Sequence, residues 1–193
     1  MKYPNMTRSR MQAVIDKLGG MESVQRFLSG ELVVKMVKRF VIWNTVTLGT
    51  YKSSSEYRKA LKADGYCIGG YADQILNKVK VSETMQQLDL VTKTAAELGF
   101  KNDVTRKQIY DRAIKLGLEL CPAEVGPALR LQYSGQPYWE WLHIAMEPIA
   151  ASGGRLKVFA VVRDFDGGRE LDGCYDYPVW DVDNRWVFVA PRE

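Results

Sequence analysis

The sequence predicts an α+β fold in which N-terminal helices with one or two strands precede a C-terminal antiparallel β-meander. Three observations carry this. Apolar residues recur at helical spacing behind capping residues over the first two thirds of the chain. β-Branched and aromatic residues dominate 33–48. After Tyr133, four strand-like runs alternate with Gly-containing turns. No Pro/Ser-rich linker interrupts the 193 residues. One continuous domain is therefore expected over 1–193, with a possible subdivision into a helical hairpin (1–30), a mixed part (31–133) and an antiparallel sheet (134–193).

The elements follow in order. Thr7 reads as an N-cap, and Met11, Val14, Ile15 and Leu18 form an apolar stripe that stops at Gly19-Gly20. Met21, Val24, Phe27 and Leu28 give a second short helix, ended by Gly30. One or two strands are expected in 33–48. A helix starts at Ser53 and ends at Gly65, and another follows Gly69-Gly70 through Tyr71, Ala72, Ile75 and Leu76. Met85 to Thr94 reads as a strand. Thr105 caps a helix that Gly117 stops, and Pro122 suits the first turn of the next, running to about Arg130 unless Pro127 breaks it. The meander strands are 139–147, 156–163, 170–175 and 186–190. Residues 48–76 and 98–130 share a faint echo, each pairing Leu-Gly with a capped helix, a glycine stop and a second helix.

Composition excludes several classes. No run approaches the roughly 18 apolar residues of a membrane helix, and no membrane association is expected. Cys67, Cys121 and Cys174 are odd in number and widely spaced. With no secretory signal visible, they point to a reducing, cytoplasmic setting. No Cys-x-x-Cys occurs and there is one histidine, so a zinc site is not expected. Phosphate-loop and dinucleotide motifs are absent, and no cofactor is expected. Charge is uneven: net +7 over 1–66, +1 over 67–120 and −4 over 121–193. The basic third could attract a polyanion.

Trp139, Trp141 and His143 alternate with Leu142, Ile144 and Met146. On one strand the first set would share a face, a stacking platform for a ring, while the second faces the core. The 178–185 segment adds Trp180, Asp181, Asp183, Asn184 and Arg185 as ligand contacts. Asp164, Asp166, Asp172 and Asp176 complete the acidic set. Asp164-Phe-Asp166-Gly167 and Asp181-Val-Asp183-Asn184 resemble fragments of calcium loops, but neither has the distal glutamate, and no metal site is assigned. His143 is the one histidine available as a general base, which leaves open a hydrolase pairing it with a carboxylate. Lys35, Lys38, Arg39 and Lys52 form one part of a basic, aromatic-interleaved region. Arg58, Lys59 and Lys62 continue it, beside Phe40, Trp43, Tyr51 and Tyr57. Such interleaving can bind nucleic acid.

The blocks Met11–Met21, Arg26–Leu28, Leu118–Pro127, Met146–Ile149 and Arg185–Val189 resemble a family of bacterial proteins for which no activity is assigned. The ending Trp180–Val189 resembles the last strands of C-type-lectin-like folds, including variable ligand-binding proteins diversified by retroelements. That resemblance implies an exposed ligand-binding loop over 176–185. The expected function is a non-catalytic module that binds a small ligand or a protein through its C-terminal sheet and loop. Nucleic-acid binding and hydrolysis are the alternatives.

Overall fold

The computed structural model describes residues 7–33, 40–175 and 177–191, and the chain divides into two compact units, 1–37 and 38–193. Lys35, Lys38, Arg39 and Asp176 lie outside the described residues.

The first unit contains α1 (Arg8–Lys17) and α2 (Met21–Leu28). The Thr7 hydroxyl accepts from the Arg10 amide, as an N-cap should. The reversal between the helices uses Gly19 and Gly20 at φ 89° and 95°, a region open to glycine at no steric cost. The apolar stripe of α1 and α2 contains no buried residue.

The second unit is built on one eight-stranded sheet in the order β1-β3-β8-β4-β6-β7-β2, with β5 paired to β6. The strands are β1 (Asn44–Leu48), β2 (Cys67–Ile68), β3 (Gln86–Thr94), β4 (Trp141–Ile144), β5 (Ile149–Ala150), β6 (Leu156–Arg163), β7 (Arg169–Tyr175) and β8 (Arg185–Val189). Four helices connect them: α3 (Ser54–Ala63), α4 (Gly70–Leu76), α5 (Arg106–Lys115) and α6 (Val125–Gln132). Pro127 does not break α6; it lies in the first turn, where its missing N–H removes no intrahelical bond. The echoed segments follow one order, strand, helix, extended piece and helix, the extended pieces being β2 and a parallel bridge between Cys121 and Met146.

Two parts of the expected architecture are corrected. The helices are not confined to the N-terminal part, since α5 and α6 separate β3 from β4. The sheet is also mixed rather than an antiparallel meander: β8 runs parallel to β4, and β2 parallel to β7. The cause is in β8 itself. Trp186, Val187, Phe188 and Val189 are all buried, so both faces of this strand need cover. A strand of that kind belongs in the middle of a sheet, and β8 sits between β3 and β4.

Register fixes what each face presents. Trp141 lies opposite Val162, His143 opposite Ala160, and Ala160 opposite Asp172. Trp141, His143, Asp172 and Cys174 therefore share one face. His143 also lies opposite Trp186 of β8. Leu142, Phe159, Val161 and Leu171 form the other face, under α4 and α6. Contact there is close. A Cβ on Gly126 would come within 2.6 Å of the Phe159 ring, and one on Gly173 within 2.6 Å of the Ala72 nitrogen.

Two buried polar groups join these layers. The Glu124 carboxylate accepts from the Gly49 amide, the Tyr57 hydroxyl and both the amide and the hydroxyl of Ser82, all at 2.7–2.8 Å. Burial pushes its pKa up, but these donors together outweigh that and hold it below the usual carboxylate range. The fully buried Arg130 guanidinium donates to Gln136, to the Tyr133 carbonyl and to the Val162 carbonyl. Gln136 in turn donates to the Glu140 and Val161 carbonyls, which fixes the lead into β4.

Candidate functional site

The face bearing Trp141 and His143 is covered in two ways. Over β8, Tyr110 of α5 packs edge-on against Trp186 and Phe188. Over β4 and β7, segment 177–184 covers it and leaves a cavity of ≈ 430 Å³. The segment is anchored through backbone bonds. Trp180 and Val104 exchange two hydrogen bonds of 2.8 and 3.0 Å, and Val182 accepts from the Ala96 amide. Asp181 holds the turn, its side chain accepting from the Asp183 amide and its carbonyl from the Asn184 amide. Asp and Asn suit such turns for this backbone reason.

Six rings line the cavity: Tyr71, Trp141, His143, Tyr175, Tyr177 and Trp180. Trp180 packs edge-on against His143, Tyr177 and Trp186, with centroids 4.7–5.3 Å apart. Ring pairs at these angles gain from the opposed charge of face and edge. His143 Nδ1 and Trp180 Nε1 are buried and have no hydrogen-bond partner among the described residues. Burial pushes the His143 imidazole down to about 4, so it is neutral at pH 7. Burial pushes the Cys174 thiol up to about 12, and it stays protonated. Asp172 and Asp181 also line the cavity, while no lysine or arginine does.

One more charge lies at this rim. Lys157 of β6 is fully buried, and its ammonium has no hydrogen-bond partner among the described residues. It lies 3.8 Å from the Tyr71 ring centroid and 2.7 Å from that of Tyr175. Those two tyrosines are joined by a 2.8 Å hydrogen bond from the Tyr175 hydroxyl to that of Tyr71. Burial lowers the Lys157 pKa.

Of the eight residues expected to bind ligand, the structure brings five to this cavity: Trp141, His143, Trp180, Asp181 and Asn184. Asp183 and Arg185 are exposed but do not line it. Trp139 departs from the expected strand. It precedes β4, has φ 64° and stacks on Phe165 with centroids 5.4 Å apart. The expected exposed loop is partly closed: Tyr177 and Val179 are exposed, whereas Trp180 is 3% exposed. Tyr71, Asp172, Cys174, Tyr175 and Tyr177 were not expected at the site. The alternation of Tyr175 and Tyr177 beyond Gly173 could have signalled the last two, but Tyr71 reaches the cavity only through the packing of α4.

The alternative sites are dispersed. Among the described basic residues, Arg58 is bonded to Asp73 and Asn77, while Lys52, Lys59 and Lys62 are exposed. The aromatics between them are packed: Tyr57 is buried, and Trp43 meets Tyr133 edge-on. Among the described residues, His143 Nδ1 bonds no carboxylate. Among the described residues, no group of three or more His, Cys, Asp or Glu side chains is placed to hold a metal ion, and no helix is long and apolar enough to cross a membrane. No family model, curated protein or solved structure matches this chain.

Proposed function

We propose that this protein is a non-catalytic ligand-binding protein and that the cavity between β4, β7 and segment 177–184 takes a small molecule. The observation that carries this is the aromatic lining: six rings converge on ≈ 430 Å³, with two carboxylates at its wall. A volume in the range of roughly 300–1,000 Å³ lined by rings and a few polar groups suits a small ligand. The unpartnered nitrogens of His143 and Trp180 offer such a ligand hydrogen bonds that the protein leaves unmade. Catalysis finds less support, because no carboxylate among the described residues bonds the imidazole Nδ1 and the Cys174 thiol is protonated.

The test is an indole N–H nuclear magnetic resonance spectrum of the five tryptophans, assigned by single Trp→Phe variants and titrated with phenol. Phenol is a neutral ring small enough for the cavity. The Trp141 and Trp180 signals should move together and saturate, while Trp139 stays still. Movement of Trp139 alone, or of no signal at millimolar phenol, would defeat the reading.

A further inference from the structure

We infer that the ligand of this cavity is an organic cation, a small alkylated ammonium held by ring faces and carboxylates. The inference rests on the ligand-binding reading above and narrows it to a chemical class. Asp172 and Asp181 line the cavity, and neither forms an ion pair among the described residues. One oxygen of each accepts from a nearby amide, that of Gly173 or Asp183, at 2.7–2.8 Å, which leaves the second oxygen for a ligand. Trp141, Tyr177 and Trp180 line the cavity, and aromatic rings attract a cation through the ring quadrupole. A neutral His143 adds no opposing charge, and the Lys157 ammonium meets the Tyr71 and Tyr175 rings without itself lining the cavity. The rim also shows the chemistry at work within the chain: the Lys157 ammonium is fully buried against the rings of Tyr71 and Tyr175, with no hydrogen bond among the described residues. A quaternary ammonium has no N–H and needs no hydrogen-bond acceptor, so rings and a nearby carboxylate satisfy it.

The experiment compares choline with 3,3-dimethylbutan-1-ol, its neutral carbon isostere, and with 3,3-dimethylbutanoate, an anion of like shape. Each is titrated into the full chain while the Trp141 and Trp180 indole signals are followed, with phenol as the charge-free reference. Choline should bind about tenfold more tightly than the neutral isostere, and the anion should not bind. Asp172→Asn and Asp181→Asn should each lower the ratio of choline to phenol affinity by about threefold, with cooperative thermal unfolding showing that the variants fold. Equal binding of choline and the alcohol would overturn the inference while leaving the cavity as a site for neutral ligands. Preferred binding of the anion would overturn it and point to the Lys157 charge instead. Failure of all four probes, phenol included, would defeat the ligand-binding reading and this inference together.

Discussion

Lys157 and Tyr175 face each other across the β6–β7 register, and the ammonium lies 2.7 Å from the centre of the phenol ring. The lysine is the cross-strand partner of the ring that covers it. The rings contribute about 2 kcal/mol to this buried charge, Asp172 also favours it, and lost hydration outweighs them, so burial lowers the lysine pKa.

Lys157→Met should therefore fold, with stability unchanged or raised by about 1 kcal/mol. Because burial lowers the lysine pKa in the folded state, the unfolded chain binds more protons on approaching the ordinary lysine value. Stability then rises with pH through that alkaline window. Urea unfolding at neutral and alkaline pH should show this gain in the wild type and its loss in the variant.

Glu124 gives a dependence of the same sign at the acid end. Its folded pKa is depressed, so its contribution is present above the ordinary carboxylate value and is lost as pH falls through the lower folded value. Glu124→Gln should cost about 2–3 kcal/mol at neutral pH, by weakening four charge-assisted bonds. The difference between variant and wild type should shrink below about pH 4, as read by denaturant titrations across that range.

Burial pushes the folded His143 imidazole down to about 4, against the ordinary histidine value of 6.5 when unfolded. Between those values the unfolded chain holds the extra proton, so stability falls as pH drops from 6.5 towards 4. The loss amounts to about 3 kcal/mol over that span. His143→Gln should flatten this part of the profile, and thermal unfolding at pH 7 and pH 4.5 reads the difference.

Gly173→Ala should cost about 1–3 kcal/mol by overpacking, because the new methyl meets the α4 backbone at Tyr71 and Ala72. The displaced Tyr71 should lose its hydrogen bond with Tyr175. Weaker phenol binding in this variant, with Gly126→Ala destabilised but binding normally, would separate the cavity wall from the general core.

Much of the helical part was legible because caps and stops are local. Thr7, Ser53 and Thr105 accept from the amide three residues on, and Gly65 and Gly117 end their helices at positive φ. The alternation Trp141, His143 against Leu142, Ile144 correctly divided the faces of β4, since period 2 is a property of the strand itself. Trp139 was misplaced because the strand begins later than the pattern does. Sheet order was not legible. Spacing by Gly-rich turns implies neighbours in sequence, whereas β8 is placed by burial on both faces. The unbroken apolar run Trp186–Val189 was the available sign. Tyr71 was missed for a related reason: it joins the cavity from a helix packed on the opposite face, through contacts distant in sequence.

The position of β8 also bears on how this molecule is made. Its neighbours β3 and β4 both precede it in sequence, and neither pairs with the other. Until residues 185–189 emerge from a ribosome, the nascent chain carries two half-sheets with open, sticky borders facing an empty slot. Unpaired strand borders of this kind recruit other chains. A stalled or shortened product ending before Arg185 should therefore aggregate instead of persisting as a loosened monomer, and a chaperone that shields β3 and β4 should matter most in the seconds before the final strand arrives.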